Sequence, residues 1–320
     1  MNKVAVIGVG NIGYHHARIY SSLENVELVG IADISEKIGK SVAKRLHTKY
    51  YKNFEEMLKK EDIDAVSIAV PTFLHKEVAL ITMKYVKKIL IEKPIADTVK
   101  NAKKIIKAAE KNNTHLNIGY IERHNPVINE LYKLIKSESI GKPISVVIKR
   151  VGLFPSNVKD ADVITDLATH DIYILNYIFR TEPNLIAATG GKIHHSKFDH
   201  AEIILEYKGI NCFIQTNWIT PVKIRTIAIT GDKGYIEADY ITQEILMHKT
   251  QLKRSFLNFN DFIVKFGKPK TKIIKVVKEE PLKIELESFL NTPRSSANAT
   301  GRDGLYALEL AEKAIKYITK

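Results

Sequence analysis

The chain has 320 residues, 45% of them hydrophobic and 27% charged, with a formal net charge of +13. This is an ordinary globular composition with length for about two domains, and it excludes low-complexity and fibrous chains. A lone cysteine, Cys212, excludes an internal disulfide framework, and apolar runs no longer than a strand point to a cytoplasmic chain without signal peptide or membrane span.

Residues 3–9 form a short apolar run without helical period, which reads as a buried parallel strand. Gly8, Gly10 and Gly13 follow in G-x-G-x-x-G spacing as residues 12–23 turn helical. In such a turn the first glycine permits the tight bend, the second lets backbone approach a pyrophosphate, and the third lets helix and strand pack closely. The helix start, at Asn11 and Ile12, presents free N–H groups and a positive dipole end to the phosphates. The next apolar run, 26–32, ends in Asp33. A carboxylate there accepts both ribose hydroxyls and repels a 2′-phosphate, so the site is expected to take NAD rather than NADP.

The pattern then alternates: helix 36–46, strand 50–52, helix 54–60, strand 65–70, helix 73–85, strand 88–91, helix 98–112, strand 114–119. Alternation at this spacing implies right-handed crossovers and a doubly wound parallel sheet, which binds ligands at the carboxyl ends of its strands. Those ends carry Gly8–Gly13, Asp33, Pro71-Thr72, Glu92-Lys93-Pro94 and Gly119-Tyr120. Past residue 120 the texture changes. Helices are expected over 126–137 and 162–179, short strands from about 185 to 277, and helices again over 281–290 and 302–319. This reads as an α+β domain on a large, mostly antiparallel open sheet. Several strands are apolar on both sides, so the outer face of that sheet is expected to pair with a second subunit as a dimer or tetramer. The division expected is α/β residues 1–121 followed by α+β residues 122–320 for substrate binding and oligomerisation.

The positive charge is compatible with nucleic acid, with anionic small molecules, or with a solvated surface. The acid-free run at 265–278 lacks the arginine and aromatic interleaving of a nucleic-acid platform and reads as a solvated loop leading into a strand. Neither nucleic acid nor membrane is an expected partner.

Three places carry chemistry. Lys93 follows a strand end, where it is either a solvated cation or a group that polarises a hydroxyl beside a bound nicotinamide. Asp166 and His170 stand four apart on one helix face, with Tyr173 and Tyr177 extending the stripe. They form either a solvated pair or an acid–base unit with a pKa near neutrality. Tyr120, Arg123 and Asn125 follow the last parallel strand and either face a substrate or tie the crossover together. His15, His16, His194, His195 and His200 lack metal-ligand spacing, so no metal site is expected.

Together these residues resemble the glucose–fructose oxidoreductase and inositol dehydrogenase family, Gfo/Idh/MocA. The likeness rests on G-V-G-N-I-G with Asp33, P-T-x-x-H at Pro71, Thr72 and His75, E-K-P-I-A from Glu92 to Ala96, and D-x-x-x-H-D from Asp166 to Asp171. A terminal N-A-T-G-R-D-G-L-Y-A-L-E-L-A extends it nearly end to end. The resemblance implies a Rossmann domain, an open-sheet second domain and oxidation of a sugar or cyclitol hydroxyl by NAD. It places Pro71, Thr72, His75, Glu92 and Lys93 at the cofactor. Lys93, Asp166 and His170 fall on the catalytic positions, and these three with Tyr120, Arg123 and Asn125 would meet substrate. G-Y-I-E-R-H-N-P at 119–126 and N-W-I-T-P-V-K-I-R at 217–225 are similar to the branch acting on UDP-linked amino sugars. The implied reaction is oxidation of the C3 hydroxyl of UDP-N-acetylglucosamine, with His170 as base and Lys93 orienting O3. Alternatives are the corresponding uronate, a free sugar or myo-inositol, and a non-catalytic NAD-binding sensor. There are departures from the family's pattern: Tyr85-Val-Lys-Lys88 replaces the usual Ala-Gly-Lys, and Tyr173 replaces the second acid after His-Asp.

Overall fold

The computed structural model describes all residues except 155–160, 250–251, 254–264, 267–268 and 292–297. The chain divides into two compact units. The first comprises Met1–His124, Pro155–Tyr173 and Glu280–Lys313; the second comprises Asn125–Phe154, Ile174–Glu279 and Ala314–Lys320. The first crossing, after His124, falls close to the expected boundary. The chain then returns to the first unit twice, so each unit is built from three segments.

The first unit is built on β1 (Asn2–Ile7), β2 (Val26–Ala32), β3 (Tyr50–Tyr51), β4 (Ala65–Ile68), β5 (Lys88–Glu92) and β6 (His115–Gly119), in the order β3-β2-β1-β4-β5-β6. All five pairings are parallel. Strand order reverses between β1 and β4, which is where a doubly wound sheet opens a crevice for ligand. Val4, Ala5, Val6 and Ile7 are all buried, as a strand covered on both faces requires. The crossovers use α1 (Asn11–Ser22), α2 (Glu36–Leu46), α3 (Phe54–Lys60), α4 (His75–Thr82) and α5 (Val99–Lys111). Short polar side chains start three of them: Ser35, Asn53 and Thr98 each accept a first-turn N–H.

In the second unit, α6 (Pro126–Lys136) is capped by Asn125, whose Oδ1 accepts the Val127 N–H at 3.2 Å. The long strand β7 (Pro143–Leu153) was not anticipated from its sequence. It alternates buried Val146, Ile148 and Arg150 with exposed Val147 and Lys149. Helix α7 (Thr169–Phe179) begins in the first unit and ends in the second. The sheet is completed by β8 (Asn184–Gly191), β9 (His200–Tyr207), β10 (Ile210–Asn217), β11 (Ile219–Gly231), β12 (Gly234–Asp239) and β13 (Glu244–Lys249). A small pair, β14 (Leu252–Lys253) and β15 (Lys265–Phe266), precedes the edge strand β16 (Lys270–Ile274). The order is β16-β13-β12-β11-β7-β10-β9-β8, antiparallel except between β7 and β10. Part of the basic run at 265–278 lies outside the described residues. Lys270 and Lys272 are exposed on β16, where charge blunts a sheet edge.

Two helices close the chain, α8 (Pro281–Asn291) and α9 (Gly301–Ile318). From α8, Leu282, Leu286, Phe289 and Leu290 join one cluster with Val4, Val6, Tyr20, Ile31 and Leu90. Burying such a side chain stabilises by about 1.5–3 kcal/mol, which explains why this segment returns to the first unit. No helix among the described residues is long and apolar enough to cross a membrane.

Candidate active site

The turn between β1 and α1 has the shape its glycines require. Gly8 has φ +83°, and a Cβ there would stand 2.8 Å from the Ala69 carbonyl oxygen. At Gly13 a Cβ would stand 1.9 Å from the Gly8 oxygen, so neither position admits a side chain. A Cβ on Gly10 would meet nothing within 4 Å. The backbone there is open to a ligand. No side chain caps α1 and its first turn holds no acid, leaving the N–H groups at Asn11 and Ile12 to an anion. Asp33 sits at the end of β2; its Oδ2 accepts the Val9 N–H at 2.9 Å and its Oδ1 the Ser35 N–H at 2.8 Å. Each oxygen keeps a further lone pair for a hydroxyl. Gly8, Gly10, Asp33, Val70, Pro71 and Lys52 line a cavity of about 430 Å³. These features fit a dinucleotide.

Thr72 lines a smaller cavity, about 70 Å³, with Phe73, Pro94, Ala96 and Thr165. His75 is turned into the protein. It is 1% exposed, with Nδ1 2.9 Å from the Pro94 oxygen and Nε2 2.9 Å from the Val70 oxygen. Burial lowers its pKa, outweighing the two carbonyls. The ring holds the loop after β4 to the turn after β5 and offers no group to the cavity. The Glu92 carboxylate is turned inward to His16, at 2.8 Å.

Lys93 is no solvated cation. Its Nζ donates to the Asp166 Oδ1 at 2.6 Å and to the Asp166 carbonyl oxygen at 2.9 Å, and both side chains are 17% exposed. Asp166 lies in a single π-helical stretch, Ile164–Ala168, introduced by Asp162, whose Oδ1 accepts the N–H groups of Ile164 and Thr165. Such wide turns in a helix recur at functional sites. The sequence pairs Asp166 with His170, but the structure joins Asp166 to Lys93. His170, 7% exposed, packs edge-on against Tyr120 with ring centroids 5.8 Å apart. Tyr120 in turn stacks on Tyr173 at 4.6 Å. The Tyr120 hydroxyl is buried without a hydrogen-bond partner, and burial raises its pKa.

Arg123 and Asn125 are 5% and 2% exposed. Asn125 uses both amide atoms inside the second unit, Oδ1 as the cap of α6 and Nδ2 donating to the Tyr240 oxygen at 3.0 Å. Both of these contacts lie within the second unit. Beside Arg123, His124 is pushed down to about 3, by burial first and the Arg123 charge second. His16 was passed over in sequence as one of a histidine pair. Its signal is the spacing of three residues after Gly13, which turns it toward the sheet.

Comparison with known families agrees with this geometry. The profile described as an oxidoreductase family with an NAD-binding Rossmann fold matches residues 2–120, and the GFO/IDH/MocA C-terminal domain matches residues 128–237. The chain belongs to the Gfo/Idh/MocA oxidoreductase family. Residues 2–120 are therefore an NAD-binding Rossmann domain. Among curated relatives, UDP-N-acetylglucosamine 3-dehydrogenase of Acidithiobacillus ferrooxidans is 27% identical over 297 residues, covering 90% of this chain and 88% of that one. Glucose-6-phosphate 3-dehydrogenase of Bacillus subtilis is 28% identical, covering 79% and 74%. Myo-inositol 2-dehydrogenase of Thermotoga maritima is 24% identical, covering 75% and 76%. A solved structure of UDP-N-acetylglucosamine 3-dehydrogenase from A. ferrooxidans matches with TM-score 0.83 and 25% identity, covering 99% of this chain and 97% of that one.

Proposed function

We propose that this oxidoreductase carries out NAD-dependent oxidation of the C3 hydroxyl of UDP-N-acetylglucosamine, giving the 3-keto nucleotide sugar. The observation that carries the chemistry is the Lys93 ammonium held on the carboxylate and carbonyl of one residue, Asp166. The substrate class is supported by likeness to a 3-dehydrogenase over 90% of the chain.

An ammonium has three donors, and Asp166 takes two of them. The third is free to donate to the sugar's O3, orienting it and stabilising the alkoxide character that develops as the C3–H bond breaks. Asp166 keeps the Lys93 ammonium aimed. His170 accepts the O3 proton as general base, its ring fixed by Tyr120, and releases it to solvent. NAD⁺, when bound, supplies the hydride acceptor, so the sum is alcohol plus NAD⁺ to ketone, NADH and a proton.

The test is turnover by folded variants with unchanged NAD affinity. Lys93→Ala and His170→Ala should each lower kcat by about 10²–10⁴-fold, the usual worth of acid–base assistance. The double variant should lose less than the product of the two, since groups acting together are not additive. Asp166→Asn should fall less than either, because it disturbs orientation and removes no proton-handling group. Wild-type kcat in His170→Ala would leave Lys93 as the sole acting group.

A further inference from the structure

The cavity of about 430 Å³ that opens on Gly8, Gly10 and Asp33 is lined mainly by apolar side chains. Among the described residues lining it, only Asp33, Lys52 and Glu77 carry polar ones. The Asp33 N–H donates to the Tyr51 oxygen at 3.1 Å, and Tyr51 pairs in register with Ala32. Lys52, the next residue, therefore leaves β3 beside the point where Asp33 leaves β2. Glu77 comes from the first turn of α4, where the helix dipole favours a carboxylate. Ile34, 84% exposed, lines the same cavity with Phe54 and Leu74.

The fold itself makes no use of these two charges. Among the described residues, neither Lys52 nor Glu77 makes a side-chain hydrogen bond or an ion pair, and they are not paired with each other although they line one cavity. Glu36, which feels the Lys52 charge, is itself paired with Lys40. Residues 2–120 bind NAD, so the cofactor is what this crevice receives. With Asp33 reserved for the ribose and the α1 N–H groups for the pyrophosphate, the base is the part of the adenosine half left to place. Its faces are flat and suited to apolar side chains such as Ile34, Phe54 and Leu74. Its edge is polar, with the 6-amino donor of adenine adjacent to the N1 acceptor. An ammonium only donates and a carboxylate only accepts, so Lys52 and Glu77 together match that edge.

We propose that Lys52 and Glu77 read the base of the dinucleotide, Glu77 accepting from the 6-amino group of adenine and Lys52 donating to N1. Neither residue belongs to the glycine turn, to E-K-P or to D-x-x-x-H. The inference is independent of the sugar and of the role given to Lys93.

The test needs no turnover. Nicotinamide hypoxanthine dinucleotide differs from NAD⁺ only in the base: a 6-oxo acceptor replaces the amino donor, and N1 carries a hydrogen. Both positions thus exchange donor for acceptor. Calorimetric titration of the wild-type protein should give a Kd for the hypoxanthine dinucleotide about tenfold or more above that for NAD⁺, the worth of a mispaired hydrogen bond to a charged group. Glu77→Gln, whose amide can donate to the oxo group, should narrow that ratio to about threefold or less. Lys52→Met should weaken NAD⁺ while leaving the hypoxanthine dinucleotide nearly unchanged. Both side chains are exposed, so both variants should fold. Wild-type Kd values within about twofold of each other would overturn the proposal without any variant. So would a ratio that neither variant moves. A Lys52→Met loss shared equally by both dinucleotides would also overturn it, since that is what an ammonium serving only the ribose or the pyrophosphate would show.

Discussion

At the scale of single residues, the geometry separates side chains that meet a ligand from those that hold the frame. We propose Asp33 for the first group: its carboxylate is fixed by two backbone N–H groups at the end of β2, within the same cavity as Lys52. A 2′-phosphate entering there would meet the carboxylate. Asp33→Ser removes that charge and leaves Lys52, so wild type should favour NAD⁺ over NADP⁺ strongly and the variant should narrow the gap. Titration of both cofactors against both proteins checks this, and a wild-type preference for NADP⁺ would place Asp33 elsewhere than on the ribose. His75, Glu92 and Asn125 belong to the second group. Each sits in a motif beside the ligand, and each spends its polar atoms on the protein itself. Sequence spacing cannot tell these two fates apart, because it fixes which residues are near a strand end and not which way a side chain turns.

At the scale of elements, the alternation of strands and helices in the first 120 residues was legible almost to the residue. Parallel strands buried on both faces give continuous apolar runs, and the caps Ser35, Asn53 and Thr98 mark helix starts. Three features were not legible. The strand β7 carries Lys149 and Arg150 in its middle, and its glycine and proline boundaries resemble a loop. The π turn at Ile164–Ala168 depends on packing that no local pattern records. It is this turn, with Asp162 at its start, that presents both the carboxylate and the carbonyl of Asp166 to Lys93. The return of α8 to the first unit is also non-local: its stripe of Leu282, Leu286, Phe289 and Leu290 announces a buried face without saying against what. Glu285 on that helix looks in sequence like a solvated acid, and only the fold shows it buried.

At the scale of the whole molecule, the outer face of the eight-stranded sheet presents an apolar row that runs through register partners on successive strands. Ile273 and Leu246 lie at one end, Glu237 interrupts the row on β12, and Ala228, Val147, Phe213 and Ile204 continue it. Ile273 is 73% exposed, and Val147, Phe213 and Leu246 are each about two-fifths exposed. A face of this kind calls for a partner, and we propose a second copy of the chain in an isologous contact. The protein should therefore run as a dimer, or as a tetramer of two such dimers, by light scattering at micromolar concentration. Phe213→Lys should shift it toward monomer while NAD binding is retained. A wild-type monomer would contradict this use of the sheet. The net charge of +13 would meanwhile steer a diphosphate-bearing sugar toward the protein, an effect that salt should weaken. The most direct test of the account is steady-state NADH formation by the wild-type protein with four substrates: UDP-N-acetylglucosamine, its uronate, myo-inositol and glucose 6-phosphate. The highest kcat/KM should fall on UDP-N-acetylglucosamine, with one ketone formed at C3 per NADH. A preference for the uronate, for myo-inositol or for glucose 6-phosphate, or turnover of none of the four, would contradict it.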